Sequence, residues 1–179
     1  LFELLFFINQ NLVYFIICYY LRRKLFKSIH NAFGGNLIKI VTGGAPIRAE
    51  LGSFFDSIGI NLINGYGITE CSPLVSANRD YFNDCATVGV PLSCVEIKFE
   101  NVTPEGDGEI CVKGDTVMLG YYEDEEKTKQ TIIDGWFHTG DLGKIDENGY
   151  LYITGRCKSV IVTKNGKNIY PEEVEYYLN

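Results

Sequence analysis

The sequence predicts an α/β subdomain, then a small antiparallel β subdomain, then the start of an α+β domain. Three observations support this fold class: a strand–helix–strand pattern in Leu37–Ile63, a two-residue alternation after Asp84, and a proline–glutamate helix start near the end of the chain. Strands joined through a helix are typical of parallel sheets, and alternation is typical of antiparallel ones. We assign 1–84 to the end of a parallel-sheet α/β subdomain, 85–155 to an antiparallel sheet or barrel, and 156–179 to a hinge and the truncated start of a mobile C-terminal lid domain.

The α/β part consists of two short apolar runs with a helix between them. Leu37–Thr42 and Ile60–Ile63 predict buried strands, and Pro46 suits the first turn of a helix. The helix has one apolar face, formed by Leu51, Phe54, Phe55 and Ile58. The loops after the two strands, Gly43-Gly44 and Asn64–Gly67, are expected at the carboxyl ends of parallel strands, where open α/β sheets bind ligands.

Alternation and turn residues define the β-rich part. Val95, Ile97 and Phe99 point to one face of a strand. Turns are expected at Pro104–Gly108, which joins strands Cys94–Phe99 and Glu109–Lys113, and at Asp146–Gly149, which joins strands Leu142–Ile145 and Tyr150–Thr154. A short helix is expected to begin near Asp124 and to interrupt these strands.

The last segment ends inside a predicted helix. Val160–Thr163 predicts a strand and Lys164–Lys167 a turn, and Pro171–Glu173 predicts a helix start because proline and acidic residues suit the first helical turn. A helix that stops at Asn179 would be short and marginal by itself. We therefore expect a truncated sequence whose remaining C-terminal part is absent.

Composition and charge favour a small-molecule partner over nucleic acid. The formal net charge is −7 and no long basic run is present, whereas nucleic acids are bound by clustered Lys and Arg. Six cysteines without a Cys-x-x-Cys pair and two distant histidines match no zinc spacing. Reduced thiols in a cytoplasmic protein are therefore expected.

The apolar run Leu1–Leu21 leaves several interpretations open. It is interrupted by Asn9–Asn11 and followed by Arg22–Lys24, and its uninterrupted part is about half of the ~20 residues that a membrane-spanning helix needs. A core helix is favoured over an interfacial helix, and both over a membrane span. No signal peptide is expected, because the basic residues follow the apolar stretch. Peripheral contact of residues 1–24 with the inner membrane surface stays open.

Four glycine-punctuated segments follow one another in a fixed order. They are Asn64–Glu70, Gly108–Tyr122, Trp136–Asp141 and Gly155–Glu173. Each combines glycines, which allow the backbone to approach a ligand closely, with carboxylate, hydroxyl or guanidinium groups that suit a nucleotide. In this order and spacing the segments resemble the acyl-adenylate-forming (AMP-binding) synthetase superfamily, and most closely bacterial long-chain fatty acid–CoA ligases. The resemblance covers the chain from about Leu37 to its end.

The resemblance implies a ligase reaction in two steps. ATP and a carboxylic acid form an acyl-adenylate and pyrophosphate, and a thiol, usually coenzyme A, then accepts the acyl group. The implied cofactors are ATP, Mg²⁺ and coenzyme A, and the implied substrate is a fatty acid. Two alternatives stay open: a ligase for another acid, such as an aryl or amino acid, and a non-catalytic protein with the same fold.

The resemblance also implies roles for residues of the first motifs. Glu70 corresponds to the carboxylate that binds Mg²⁺, and Thr69 to the hydroxyl beside the ATP phosphates. Tyr66 corresponds to the aromatic residue that stacks on adenine. Gly67 corresponds to the position that leaves room for the acyl chain, although a glycine needed only for its backbone angle would look the same. The loop that lies against the adenine corresponds to Gly44, Ala45 and Pro46.

The later motifs supply the remaining implied roles. Asp141 corresponds to the carboxylate that binds both ribose hydroxyls, and Arg156 to an arginine that contacts the nucleotide. Either could instead form half of an ion pair, which the adjacent glycine argues against for Asp141. Lys158 corresponds to the hinge about which the C-terminal domain rotates, and Gly166 to a glycine near the pantetheine of coenzyme A. Cys71 is expected to pack beside the site rather than to act as a nucleophile.

Two elements of the resembled family are expected outside this sequence. A Ser/Thr/Gly-rich phosphate loop would precede Leu1, and a lysine that stabilises the charge developing during adenylation would follow Asn179. The chain by itself is therefore expected to be at most a weak nucleotide binder, and the full-length protein to be the enzyme.

Overall fold

The computed structural model describes residues 20–45, 47–80, 83–159, 161–162, 168–169 and 171. The chain divides into two compact units. One unit takes in residues up to 40 together with 50–62, and the other takes in 41–49 together with 63 onward. Most of Leu1–Leu21, and the predicted site residues Pro46 and Gly166, lie outside the described residues.

The first unit contains helical residues 20–25, helix α1 (Lys27–Ala32) and most of helix α2 (Ala49–Ser57). His30 of α1 is buried, and its Nε2 lies 2.8 Å from the carbonyl oxygen of Ile58. The predicted apolar face of α2 is only partly covered. Ile58 is 1% exposed, whereas Leu51 and Phe54 are 43% and 47% exposed. The helix therefore forms where its period predicts, with part of its apolar face at the surface of the described structure.

A mixed four-stranded sheet follows the strand–helix–strand pattern. Its order is β1 (Lys39–Gly43), β2 (Asn61–Gly67), β3 (Leu74–Ala77) and β4 (Val90–Pro91). β1 and β2 are neighbours, as predicted, whereas β3 and β4 each run antiparallel to the strand before them. The loop expected at Asn64–Gly67 is instead part of β2. The reason is the turn through Ser72, whose left-handed backbone (φ 58°) returns the chain along β2.

The β-rich part is a five-stranded antiparallel sheet in the second unit. Strands β5 (Val95–Glu100), β6 (Gly108–Gly114), β8 (Trp136–Ile145) and β7 (Ile132–Ile133) lie in this order, and β9 (Leu151–Arg156) pairs with β8. β5 pairs with β6, and β8 with β9, as the turns between them predict. Helix α3 (Glu125–Thr131) begins where predicted, because the Asp124 carboxylate accepts a hydrogen bond from the Lys127 N–H at 2.9 Å.

One hydrophobic core in the second unit contains residues from both sheets. Tyr66 and Val75 contribute from β2 and β3, and Ile110, Phe137 and Leu151 from the five-stranded sheet. Because side chains in protein interiors are close-packed, this core fixes β2 against β8 and β9. The Asn64–Glu70 motif is thereby brought to the strands that carry Asp141 and Arg156.

The end of the described chain agrees with the predicted strand. β10 (Ile161–Val162) lies within Val160–Thr163 and pairs antiparallel with β11 (Asn168–Ile169). The predicted turn Lys164–Lys167 and the helix beyond Pro171 lie outside the described residues. The domain boundaries predicted at 84/85 and 155/156 stay predictions.

The sequence also predicted reduced thiols and left membrane contact open. The described cysteines Cys71, Cys85, Cys94, Cys111 and Cys157 are all free thiols. Within the part of the chain that the structure describes, no helix is both long and apolar enough to cross a bilayer.

Candidate functional site: a cavity lined by both sheets

A cavity of about 350 Å³ lies in the second unit, with walls contributed by both sheets. Its volume is that of a small-ligand pocket. Six of the residues to which the resemblance gave a role line it, namely Gly44, Ala45, Tyr66, Gly67, Asp141 and Arg156. The fold therefore brings together residues that are far apart in the sequence.

Both carboxylate oxygens of Asp141 have partners. The residue is 5% exposed; its Oδ2 accepts a hydrogen bond from the Tyr66 hydroxyl at 2.6 Å, and its Oδ1 lies 3.1 Å from Nε of Arg156. The sequence argued against an ion pair for Asp141, and the structure corrects this, since Arg156 pairs with Asp141 across β8 and β9. The Arg156 side chain is 70% exposed, so its guanidinium remains accessible from outside.

Two irregularities in β8 produce this arrangement. A register shift between β8 and β9 brings Arg156, rather than Gly155, opposite Asp141. On the other side of β8, residues Thr139–Asp141 bulge against the single residue Ile110 of β6. Bulges of this kind redirect side chains locally and are common beside functional sites.

Hydrogen bonds from β6 hold the bulge. The Glu109 carboxylate accepts from the Gly140 N–H at 3.1 Å. The Thr139 hydroxyl donates to the Ile110 carbonyl at 2.8 Å and accepts from the Asp141 N–H at 3.0 Å. Gly140 has a left-handed backbone (φ 73°), which glycine adopts without strain. Thr139 and Gly140 thus support Asp141 from within its own motif.

Tyr66 acts as a hydrogen-bond donor in this site. Burial raises the pKa of Tyr66 well above its usual range, and the negative charge of Asp141 raises it further. The phenol therefore stays protonated and keeps donating to the carboxylate. Its ring belongs to the core and also forms part of the cavity wall.

Glu70 is held next to the cavity rather than in its wall. It lies in a short 3₁₀ turn, Thr69–Cys71, that follows β2. Its Oε1 accepts from the Tyr121 hydroxyl at 3.0 Å, and its carbonyl oxygen accepts from the Met118 N–H at 2.8 Å. Burial, followed by the hydrogen bond to Glu70, raises the pKa of Tyr121, so this hydroxyl also stays a donor. A partly exposed carboxylate oriented in this way is suited to holding a hard cation.

Cys71 agrees with the packing role expected for it. The residue is fully buried, and burial, with a smaller effect of the Glu70 charge, raises the pKa of its thiol to about 11. A thiol of this kind is protonated near neutral pH and is a poor nucleophile.

Gly44 and Gly67 line the cavity, and a glycine is needed at each position for a different structural reason. Gly44 has a left-handed backbone (φ 81°) and open space around it. At Gly67 a Cβ atom would lie 2.4 Å from the Pro73 carbonyl oxygen, so only glycine allows β3 to approach. This close approach, rather than a special backbone angle, accounts for Gly67. Its implied role in making room for an acyl chain stays a prediction.

The remaining predicted residues lie away from the cavity wall or outside the described residues. Thr69 is exposed beside Glu70, and Lys158 is exposed after β9. Pro46 and Gly166 cannot be placed, because they are outside the described residues.

Sequence reasoning missed three contributions to the site. Residues Cys85–Val88 line the cavity, because the Asn78 side-chain amide binds the carbonyl oxygens of Asp84 and Thr87 and folds this segment inward. The segment after Asn78 is polar, but its composition does not reveal where in the fold it lies. Tyr121 and Glu109 were part of the quoted motifs, but only the three-dimensional pairing shows what they contact.

The fold and the cavity define a class of protein. A buried carboxylate with two free lone-pair directions, beside an aromatic ring, an arginine and glycine turns, is suited to binding a nucleotide. A sequence model described as AMP-binding enzyme matches residues 13–122, and the chain belongs to this family.

Individual relatives agree with the family assignment. The chain is 41% identical over 155 residues to the long-chain-fatty-acid–CoA ligase FadD15 of Mycobacterium bovis, an alignment that covers 86% of this chain and 25% of that protein. It is 39% identical over 157 residues to the long-chain-fatty-acid–CoA ligase of Salmonella typhimurium, covering 84% and 26%. The chain thus spans about a quarter of the length of the curated relatives it matches.

A solved structure has the same fold. It is the O-succinylbenzoate coenzyme A synthetase (MenE) of Bacillus subtilis in complex with ATP and a magnesium ion. The TM-score is 0.72 at 35% sequence identity, and the match covers 78% of this chain and 30% of that one.

Proposed function

We propose that the protein to which this chain belongs is an ATP-dependent long-chain fatty acid–CoA ligase, which forms an acyl-adenylate and then an acyl-CoA. The observation that carries the proposal is the arrangement of Asp141, Tyr66 and Arg156 in the wall of one cavity. The names of the curated relatives support the fatty-acid substrate.

The nucleotide site fits ATP on the chemistry of its donors and acceptors. An ionised carboxylate has about four lone-pair positions, and Tyr66 and Arg156 use one on each oxygen of Asp141. The lone-pair positions of Asp141 that remain free suit the two hydroxyls of a ribose. Asn64 also lines the cavity, and its buried Oδ1 has no hydrogen-bond partner within the described part of the chain.

The chain's own residues bind and orient the reactants in this proposal. ATP supplies the adenylyl group that activates the acid, and coenzyme A supplies the accepting thiol. Asp141 would hold the ribose, the Tyr66 ring would offer a surface for the base, and the accessible Arg156 guanidinium would bind ribose or phosphate oxygens. Glu70, oriented by Tyr121, would hold Mg²⁺, and the Thr69 hydroxyl would bind the phosphates. Gly44, Ala45 and Pro46 form the loop against the base, and Lys158 and Gly166 act in the hinge and at the pantetheine.

An aryl acid is the alternative substrate. The observation that favours it is the similarity to the O-succinylbenzoate synthetase at a TM-score of 0.72. Nucleotide binding would be the same for both acids, since Asp141, Tyr66 and Arg156 are assigned to the nucleotide and not to the acyl group.

The test measures pyrophosphate release from ATP by the full-length protein. Palmitate, octanoate, acetate, benzoate and O-succinylbenzoate are compared in the presence of Mg²⁺. We expect release with the longer fatty acids, and a loss of about a hundredfold or more in Glu70→Ala and Asp141→Ala. The exposed carboxylates Glu96 and Asp115 provide the matched controls Glu96→Ala and Asp115→Ala, which should keep full activity. No release with any acid from a folded protein would overturn the proposal, and release only with aryl acids would support the alternative.

The proposal has two further parts. The full-length protein is cytoplasmic, and the isolated chain is at most a weak nucleotide binder. The isolated chain should bind ATP weakly and should not form acyl-CoA at the rate of a complete ligase, because it spans only about a quarter of the length of the ligases it matches. A full rate from the isolated chain would refute this part alone.

A further inference from the structure

A second cluster of reactive side chains lies on the five-stranded sheet. It consists of Glu100 on β5, Glu109 and Cys111 on β6, and His138 on β8, and none of these residues lines the cavity. Cys111 lies between Ile110 and Val112, whose side chains enter the core, so its own side chain points to the opposite face of the sheet. The cluster therefore lies on the face of β6 that turns away from the core.

Strand pairing brings these side chains together. Cys111 and His138 are directly opposite each other on β6 and β8, with Sγ 3.5 Å from Nδ1. Glu100 reaches the other nitrogen of the same ring from β5, with Oε2 3.9 Å from Nε2. One potential ligand atom of each of these three residues lies within 4.8 Å of the other two.

Glu109 completes the surroundings of the histidine. Its Oε2 lies 3.3 Å from Nδ1, while its Oε1 accepts from the Gly140 N–H. Nδ1 thus has two close neighbours, a thiol and a carboxylate. A ring nitrogen carries either one proton or one lone pair, so it cannot hydrogen-bond fully to both. A cation bound at this position would interact favourably with both groups at once.

We propose that Cys111, His138 and Glu100 bind a zinc ion, with Glu109 as the neighbouring fourth group. Thiolate, imidazole and carboxylate are the ligands that zinc prefers in proteins. With bonds of about 2.0–2.3 Å in a tetrahedral site, ligand atoms lie roughly 3.3–3.7 Å apart. The distance between Cys111 Sγ and His138 Nδ1 already has this value. Because one zinc ion binds only one ring nitrogen, Glu100, whose Oε2 now lies 3.9 Å from Nε2, has to turn its 38%-exposed side chain towards the Nδ1 side to complete the site.

The electrostatic surroundings favour a cation, with one opposing group. Two carboxylates, Glu109 and Glu100, lie close to the Cys111 thiol and the His138 ring. Their negative charges attract a dication, which releases the thiol proton to solvent on binding. The positive charge of Lys98 opposes cation binding, and its ammonium pairs with Oε1 of Glu100. That contact leaves Oε2 of Glu100 directed at the histidine.

The sequence could not have indicated this site. Zinc motifs are recognised from short spacings between Cys and His residues, whereas these ligands come from three strands of one sheet. The cluster is also linked to the candidate nucleotide site, because Glu109 holds the bulge that carries Asp141.

The test titrates the metal-free chain with Co²⁺ and then with Zn²⁺. Co²⁺ reports a bound thiolate through a charge-transfer band and a tetrahedral site through its visible spectrum, independently of enzyme activity. We expect one equivalent of Co²⁺ with a thiolate band, displaced by one equivalent of Zn²⁺. Cys111→Ser should remove the band, and the matched control Cys94→Ser, at an exposed thiol, should keep it.

Further variants keep the test decisive if Cys111→Ser fails to fold. His138→Ala and Glu100→Gln should each weaken Zn²⁺ binding by about tenfold or more. Lys98→Met, which removes the opposing charge, should strengthen it by about threefold to tenfold. The absence of a thiolate band in the folded wild-type chain would overturn the proposal. Unchanged Zn²⁺ affinity in both His138→Ala and Glu100→Gln would also overturn it.

Discussion

The hydroxyl of Tyr66 donates to Oδ2 of Asp141 at 2.6 Å, and the two residues are 75 positions apart in the chain. Tyr66 belongs to β2 of the four-stranded sheet and Asp141 to β8 of the five-stranded sheet. The bond therefore joins the two sheets at the wall of the cavity. Because the carboxylate is 5% exposed, its donors determine which of its lone pairs remain for a ligand.

Removing the Tyr66 hydroxyl should destabilise the chain. Tyr66→Phe leaves the buried Asp141 carboxylate without one donor, and hydrogen bonds to charged groups contribute about 1.5–3 kcal/mol. We expect the free energy of unfolding to fall by about 2 kcal/mol, measured by urea denaturation. Affinity for ATP should fall as well, because Asp141 loses one of its two anchors.

Tyr152→Phe is the matched control for this change. Its hydroxyl lies 3.4 Å from Oδ2 of Asp146, a long contact at the edge of hydrogen-bond distance. The free energy of unfolding should change by less than about 0.5 kcal/mol. Equal losses in the free energy of unfolding in Tyr66→Phe and Tyr152→Phe would show that the hydrogen bond of the Tyr66 hydroxyl does not cause the destabilisation.

Local signals predicted the antiparallel sheet, but not how its strands meet. The turns at Pro104–Gly108 and Asp146–Gly149 were visible because hairpin turns depend on a few neighbouring residues. A regular hairpin across Asp146–Gly149 would have placed Gly155 opposite Asp141. The register shift that brings Arg156 there instead arises from packing and has no sequence signal of its own.

Tyr121 is expected to position Glu70, which we propose as the Mg²⁺ ligand. Its hydroxyl lies 3.0 Å from Oε1 of Glu70, and α3 holds it there, since the Tyr121 N–H donates to the Thr128 hydroxyl at 2.8 Å. In the full-length protein, Tyr121→Phe should raise the Mg²⁺ concentration for half-maximal pyrophosphate release by about threefold to tenfold. The neighbouring Tyr122 is 91% exposed, so Tyr122→Phe should leave that concentration unchanged. The same shift in both variants would contradict a specific role for Tyr121.

Gly89 should tolerate no side chain. It has a left-handed backbone (φ 80°), and a Cβ atom there would lie 1.9 Å from the Ala77 carbonyl carbon. Gly89→Ala combines backbone strain with a clash against β3 and should cost about 3 kcal/mol or more. Gly106 has a similar angle (φ 89°) with open space around it, so Gly106→Ala should cost about 1–2 kcal/mol. If urea denaturation gave the same loss in the free energy of unfolding for Gly89→Ala and Gly106→Ala, the clash at Gly89 would have been relieved.

The site itself was predicted only in part, and the reason is physical. The resemblance carried by the four ordered motifs implied roles for Asp141, Arg156 and Tyr66, whose side chains offer an acceptor, a cationic donor and a flat surface. Their mutual contacts, and the supporting role of Glu109, depend on pairing between strands that are distant in sequence. Such pairing is set by the packing of the whole core, which local periodicity does not encode.

The buried Cys71 thiol should make stability decrease at alkaline pH. Its pKa rises from the usual 9.0 to about 11 in the folded chain, chiefly through burial. Below pH 9 both folded and unfolded chains keep the proton, so the contribution to stability is fully present. Between pH 9 and 11 the unfolded chain loses the proton first, and the free energy of unfolding should fall by up to about 1.4 kcal/mol per pH unit from this group. Urea denaturation across this range should show a shallower slope in Cys71→Ala and an unchanged slope in Cys94→Ala, whose thiol is exposed; identical slopes in both variants would contradict the raised pKa.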